Sequence, residues 1–314
     1  MKSWRLLADI GGTNARFARS RLEYDPFSLR NYKVADFSSF NEVFKRYVAD
    51  TDGLQGCNGA AVCAAGPVLD GQVQLTNVPW RISEAEISQL AGKVPVVLYN
   101  DLEAVALALP HLGNADLMPI GKFREPPSLQ DRMLAINVGT GFGAAVVMPS
   151  GGSWATCPSE AGHMSFGAQD KVELALLTGD HSSIFTVEDA LSGHGLVHLY
   201  RKQCERLGIQ MSATAPEEVF AKVSSDAAAE ATLRLFTVWL GRVARNLTLA
   251  TSAWGGVFLT GGVVRGWHGH SSSCEFRTSF EAAQKMQEPL RRTYTGVIKC
   301  TGISLLGLAR AHVA

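Results

Sequence analysis

Twice along this chain an apolar run stops at a glycine cluster and a second apolar run follows. The first unit is Trp4 to Ala8, then Gly11-Gly12, then Ala15 to Arg19. The second is Met133 to Val138, then Gly139-Thr140-Gly141-Phe142-Gly143, then Ala144 to Met148. Each reads as a strand, a tight glycine turn and a returning strand, that is, a hairpin. One such unit in each half points to a duplicated architecture of two related α/β lobes. The length of 314 residues supports this, since a single core stops growing at about 250–300 residues. The two halves share a pattern and do not align closely by residue.

Other segments fit the same frame. Ala60 to Ala65 is a short apolar run that stops at Gly66-Pro67, and Val94 to Tyr99 is another. Asn100-Asp101 ends the second, and Leu102 to Leu109 carries helix formers up to Pro110. Ala229 to Thr251 places Leu233, Phe236, Leu240, Val243, Leu247 and Ala250 at spacings of three and four. That stripe reads as core packing on a long amphipathic helix. Gly255-Gly256, a strand over Val257 to Leu259 and a third glycine turn at Gly261-Gly262 follow. Ser279 to Leu290 is expected to be a helix, and Leu305 to His312 a final short one.

Composition excludes several classes. Hydrophobic residues are 46% and charged residues 18%, as in an ordinary globular protein. Lys plus Arg equals Asp plus Glu at 29 each, so no electrostatic argument favours nucleic acid or an anionic membrane. No apolar run reaches the roughly 18 residues of a membrane span. Asp9 and Gly11-Gly12 interrupt the apolar start before a secretory core of about 7–15 residues can form, and His312-Val313-Ala314 matches no retention or peroxisomal address. A cytoplasmic location is expected. The six cysteines lack a C-x-x-C spacing and read as free buried thiols. His268, His270 and Cys274 lie close together, but a solvated loop is a better reading than a metal site.

The glycine turns carry the chemistry. Glycine lets backbone N–H groups approach a phosphate with no Cβ in the way. The first turn adds the Thr13 hydroxyl, with Asp9 just ahead of it. A carboxylate facing phosphates needs a cation between them, and Mg²⁺ suits that role. By itself the stretch reads equally well as a tight hairpin turn. Gly139-x-Gly141-x-x-Ala144 matches the dinucleotide fingerprint formally, but that site needs a helix after the turn and a strand-like run follows. No P-loop or protein-kinase signature is present. Asp101 stands where a strand ends and a helix begins, the place where open α/β sheets put ligand chemistry. It is the candidate proton acceptor for phosphoryl transfer to an alcohol. The alternative is that Asn100-Asp101 caps the following helix. Glu160 and His163 could bind a polyol, and Glu188 offers another carboxylate.

In combination and in this order, these motifs resemble the bacterial glucokinase family of the hexokinase–actin–Hsp70 superfamily. They are Asp9-Ile10-Gly11-Gly12-Thr13-Asn14-Ala15-Arg16, Thr76-Asn77, Asn100-Asp101, Gly139 to Gly143, Pro158 to His163, Glu188 before Leu191-Ser192-Gly193, and Gly261-Gly262. The resemblance runs from Ala8 to the C-terminal helix. It implies a two-lobed actin-like (ribonuclease H-like) α/β fold, with a small domain over residues 1–108 completed by 302–314 and a large domain over 109–301. It implies ATP with Mg²⁺ and glucose as ligands, in the cleft between the lobes, and a homodimer. Ala8, Asp9, Ile10, Gly11, Gly12 and Thr13 would be the first phosphate motif. Gly139, Thr140 and Gly141 would be the second, and Gly261 and Gly262 the loop near adenosine. Asp101 would be the catalytic base, with Asp9 reaching Mg²⁺ through water at most. Asn100, Glu160, His163 and Glu188, and more weakly Asn77, would hold the sugar. Ser159 and Ala161 stand where the family often has glycine, and His194 where it often has proline. The cysteine-rich zinc motif of the related repressor–kinases is absent, and no N-terminal helix-turn-helix fits, so a sugar-sensing repressor is disfavoured.

Overall fold

The computed structural model describes every residue except 1–2, 22–25, 77, 123–126, 178–184, 272 and 314. The chain divides into two compact units: residues 1–111, 147–158 and 300–314 form unit 1, and residues 112–146 and 159–299 form unit 2. The segment 147–158, grouped with the large domain in the sequence reading, clusters with unit 1.

Unit 1 is built on the first hairpin. Strands β1 (Trp4–Ile10) and β2 (Asn14–Ser20) pair antiparallel across the Gly11-Gly12 turn. Next come β3 (Phe27–Lys33), helix α1 (Phe40–Ala49) and β4 (Cys57–Ala64), which runs parallel to β1. A small three-stranded sheet of β5 (Val68–Leu69), β6 (Gln72–Gln74) and β7 (Arg81–Ser83) intervenes, followed by α2 (Glu84–Leu90). Strand β8 (Val96–Asn100) then lies parallel to β4 and feeds directly into α3 (Asp101–Ala108). The main sheet has the order β3-β2-β1-β4-β8. Its central strands are buried on both faces, which is why they read as continuous apolar runs.

Unit 2 repeats the plan. After β9 (Leu117–Pro119), β10 (Met133–Val138) and β11 (Phe142–Ser150) flank the second glycine turn. Strand β11 runs on through residue 147 into unit 1, where β12 (Ser153–Ser159) begins. Helices α4 (Lys171–Leu177), α5 (Val187–Ala190), α6 (Gly193–Leu207), α7 (Pro216–Ala221) and α8 (Ala227–Thr251) follow. Then come β13 (Gly256–Thr260), α9 (Gly262–His270), α10 (Ser273–Phe280), α11 (Gln287–Arg292) and β14 (Thr295–Ile298). The chain ends on α12 (Ile303–Arg310) in unit 1. The second sheet has the order β12-β11-β10-β13-β14-β9, with β13 parallel to both β10 and β14. Hairpin, parallel strand, parallel strand is therefore the order in both units.

Three local expectations need correction. Ser279 to Leu290 is not one helix: α10 stops at Phe280, and α11 starts at Gln287. Pro289 has no N–H to give Lys285, so it is tolerated only in a first turn. His268 and His270 lie on α9, not in a loop. All six cysteines are free as expected, but only Cys63 and Cys204 are buried. Leu233, Phe236, Leu240, Val243 and Leu247 of the α8 stripe do pack the unit 2 core, but Ala250, one residue from the helix end, is exposed; Asp226 caps Ala228 and Ala229. Among the described residues no helix is long and apolar enough to cross a membrane.

Candidate active site

Asp9 sits near the end of β1, between the core residues Ala8 and Ile10. Both neighbours are fully buried, so only their backbone can serve a ligand. Three side-chain donors from three elements fix the Asp9 carboxylate. Ser304 Oγ on α12 donates to Oδ2 at 2.7 Å, and Arg16 Nη1 on β2 lies 3.2 Å from the same oxygen. Cys63 Sγ on β4 approaches Oδ1 at 3.6 Å. Burial and the neighbouring Asp9 charge push the Cys63 thiol well up, so it stays a protonated donor. The Gly11 N–H is tied to the Asn14 carbonyl at 2.9 Å, which closes the turn.

The helix α3 brings Asp101 to the same unit. Asn100 is its N-cap: Oδ1 accepts from Leu102 N–H and Nδ2 donates to the Gly66 carbonyl, both at 2.9 Å. The capping role weighed from the sequence is thus real. Glu103 completes the capping box by accepting the Asn100 N–H. Asp101 is the first helical residue, and its side chain is open to solvent. Even so, its carboxyl is pushed up to about 6. The cause is first the loss of solvation to surrounding protein and then the Asp9 charge, against bonds to Leu102 and Asn100 that lower it. Solvent touching the carboxylate and protein crowding around it coexist at a recessed group.

In unit 2 the expected residues gather round the second turn. Gly139 N–H bonds the Gly141 carbonyl at 3.0 Å, and Gly193 N–H at the start of α6 bonds the Gly139 carbonyl at 2.8 Å. Glu188 on α5 accepts the Phe142 N–H at 2.7 Å. A Cβ at Gly141 would overlap the Glu188 carboxylate, and one at Gly162 would overlap the Phe142 carbonyl. The loop carrying Glu160 and His163 is thereby seated on the phosphate-type turn. Both of these side chains are exposed, with His163 Nε2 3.9 Å from Glu160 Oε2, so they are available to an added ligand. Gly261 takes φ 109°, where L side chains are strained, and caps α9, whose first residue is Gly262. Gly262 N lies 4.0 Å from the position of a Cβ on Gly139, so the second and third glycine turns adjoin. Thr140, Glu188 and His194 line a recess of about 260 Å³ beside them. Asn77 lies outside the described residues.

The sequence reading missed Ser304 and Cys63 as partners of Asp9. It also left Asn137 unremarked, although this residue precedes Gly139 by the same two positions that separate Asp9 from Gly11. No group of three His, Cys, Asp or Glu side chains that could hold a metal occurs among the described residues. With donors on both of its oxygens, Asp9 fits a cation carried in by phosphates and reached through water, not one held directly.

Comparison with known proteins identifies the family. Residues 6–314 match the family described as Glucokinase. The chain is 32% identical to a glucokinase of Nitrobacter hamburgensis, covering 98% of this chain and 97% of the relative. It is similar in structure to a glucokinase from an Antarctic psychrotroph, with TM-score 0.86, 28% identity, and 99% and 98% of the two chains covered. A glucokinase of the ROK family from Streptomyces griseus, solved with glucose and AMPPNP, shares the fold at TM-score 0.62 and 19% identity, with 98% of both chains covered.

Proposed function

The chain belongs to the glucokinase family, whose α/β units have the actin-like ATPase fold, and on that footing we propose the following reaction. The protein transfers the γ-phosphoryl group of ATP to the 6-hydroxyl of glucose, giving glucose 6-phosphate and ADP. Asp101 accepts the hydroxyl proton as that oxygen attacks phosphorus. The observation that carries this reading is the Asp101 carboxylate: open to solvent at the start of α3, and with a carboxyl near 6, basic enough to hold a proton and ionised at neutral pH.

The other residues divide by unit. In unit 1 the Gly12 and Thr13 N–H groups and the Thr13 hydroxyl are offered to phosphate, the Gly11 N–H being held by the Asn14 carbonyl. Mg²⁺ bound with the nucleotide would supply charge neutralisation there, with Asp9 holding it through water. In unit 2 Thr140 and Gly141, with Gly139 bonded back to Gly141, and the Gly261-Gly262 step at the start of α9 offer a second set of N–H donors. Glu160, His163, Glu188 and Asn100 hold the sugar hydroxyls, so that the 6-hydroxyl is the one presented. Donors fixed before the substrate arrives need no rearrangement as charge develops. A cytoplasmic homodimer completes the proposal.

A coupled assay for ADP release across a panel of hexoses tests the reading. Glucose should give the highest kcat/KM. Release with no hexose would sink the kinase assignment, and a preference for an epimer would replace glucose while leaving the chemistry. Asp101→Ala should lose about 10²–10⁴-fold in turnover while sugar affinity, measured by calorimetry, changes far less. Near-normal turnover would remove Asp101 from the role of base.

A further inference from the structure

Glu103 is a buried carboxylate that the proposed reaction does not use. Burying a carboxylate is costly unless it is well hydrogen-bonded, and both of its partners are neutral donors. Oε2 accepts the Asn100 N–H at 3.0 Å, and Oε1 accepts Thr156 Oγ1 at 2.7 Å. The first bond lies at the residue before Asp101. The second reaches β12, the strand that ends at Ser159 and delivers Glu160. The chain passes from unit 1 to unit 2 just after Pro158, two residues beyond Thr156.

The helix that carries Glu103 is itself held from behind. A Cβ at Gly307 of α12 would overlap the Ala104 carbonyl, so α3 and α12 touch backbone to backbone. Trp154, two residues before Thr156, packs with the same apolar cluster of Leu7, Leu107 and Leu308. Glu103 therefore extends a fixed frame onto the strand that leads to the sugar loop.

We infer that Glu103 is a positioning residue: through Asn100 N–H and Thr156 Oγ1 it holds the Asp101 segment and the strand leading to Glu160 in one register. This rests on the reading of Asp101 as base and Glu160 as sugar ligand. A helix cap alone would need only the Asn100 bond; the Thr156 bond has no part in capping. Losing it frees the approach to Glu160 while leaving the glycine turns untouched.

The test compares Thr156→Val, which removes the hydroxyl at nearly constant shape, with Thr156→Ser, which keeps it, in the full chain. The parent enzyme must first show hexose-dependent ADP release; failure there defeats the reaction proposed above and not this link. Thr156→Val is expected to lose about tenfold in kcat/KM for the sugar, with KM for ATP within about twofold of the parent. Thr156→Ser is expected to recover most of that loss. Should Thr156→Val not fold, Thr156→Ala removes the same hydroxyl without added bulk. Equal kinetics in the valine and serine variants would overturn the inference, as would equal losses toward sugar and ATP; either result leaves Thr156 and Glu103 a purely structural pair.

Discussion

The two glycine turns share a scaffold and differ in charge. Each closes a hairpin whose first strand continues the sheet through parallel neighbours. Two residues before the turn, unit 1 has Asp9 and unit 2 has Asn137. Asp9 is held by Ser304, Arg16 and Cys63, whereas the carboxylate near the second turn arrives from another element, as Glu188 on α5 bonded to Phe142 N–H. A single fixed negative charge suits a cation shared with phosphate; a neutral amide suits bare N–H donors. On the proposed reading the scaffold sets where the phosphates approach, and Asp9, already paired with Arg16, marks the turn that shares a metal with them.

Erasing the difference should have the largest effect. Asp9→Asn makes the first turn resemble the second in charge while keeping its shape. Turnover should fall by about 10²-fold or more, with a steeper dependence on Mg²⁺ concentration. Turnover within threefold of the parent at all Mg²⁺ concentrations would show that the charge asymmetry has no catalytic meaning.

The turns also differ in steric freedom. A Cβ at Gly141 would overlap the Glu188 carboxylate, while one at Gly11 would meet only the Asn14 carbonyl, at 3.5 Å. Gly141→Ala should therefore break the Glu188 to Phe142 bond and cost about tenfold in kcat/KM, with a lower melting temperature. Gly11→Ala should leave the melting temperature unchanged within about 2 °C. Equal thermal behaviour of the two variants would mean that Glu188 can move aside freely.

Much of this arrangement is legible in the sequence because its signals are local. The hairpins show as apolar runs around glycine, and Asn100-Asp101 at the end of an apolar run marks a helix cap. The α8 stripe shows at spacings of three and four. What escapes is either a balance of weak preferences or a contact between distant parts of the chain. The run Ser279 to Leu290 has helical composition, yet the missing N–H of Pro289 moves the start of α11 to Gln287. Ser304 reaches Asp9 across 295 residues, and no spacing rule spans that distance. The packing of α12 against α3 within unit 1 sets it instead, with Gly307 against Ala104.

That distant contact gives a smaller, sharper test. Ser304→Ala removes the shortest bond to Asp9 and leaves Arg16 and Cys63 in place. Turnover should drop about three- to tenfold, because one hydrogen bond to a charged group is lost. KM for glucose should not move. A shift confined to sugar affinity would contradict the assignment of Asp9 to the phosphate side.

The smallest expected effect concerns stability, and its sign is fixed by the Asp101 carboxyl. Its pKa in the folded protein is about 6, against 3.8 for an ordinary aspartate, and burial is the first cause. The folded state therefore binds this proton more tightly than the unfolded chain does. Its stabilising contribution is complete below about pH 4 and is lost as pH rises through about 6, so at pH 7.5 the ionised carboxylate costs stability. The full shift corresponds to about 3 kcal/mol. Because solvent reaches the side chain, about 1 kcal/mol is the better expectation. Asp101→Asn carries no charge at any pH. It should melt roughly 2 °C above the parent at pH 7.5 and no higher than the parent at pH 4. In the parent, kcat/KM should fall about tenfold per unit below pH 6, as the base becomes protonated. A stability gain at pH 4 equal to that at pH 7.5 would mean that the substitution acts through packing, and the electrostatic cost of ionising Asp101 beside Asp9 would lose its support.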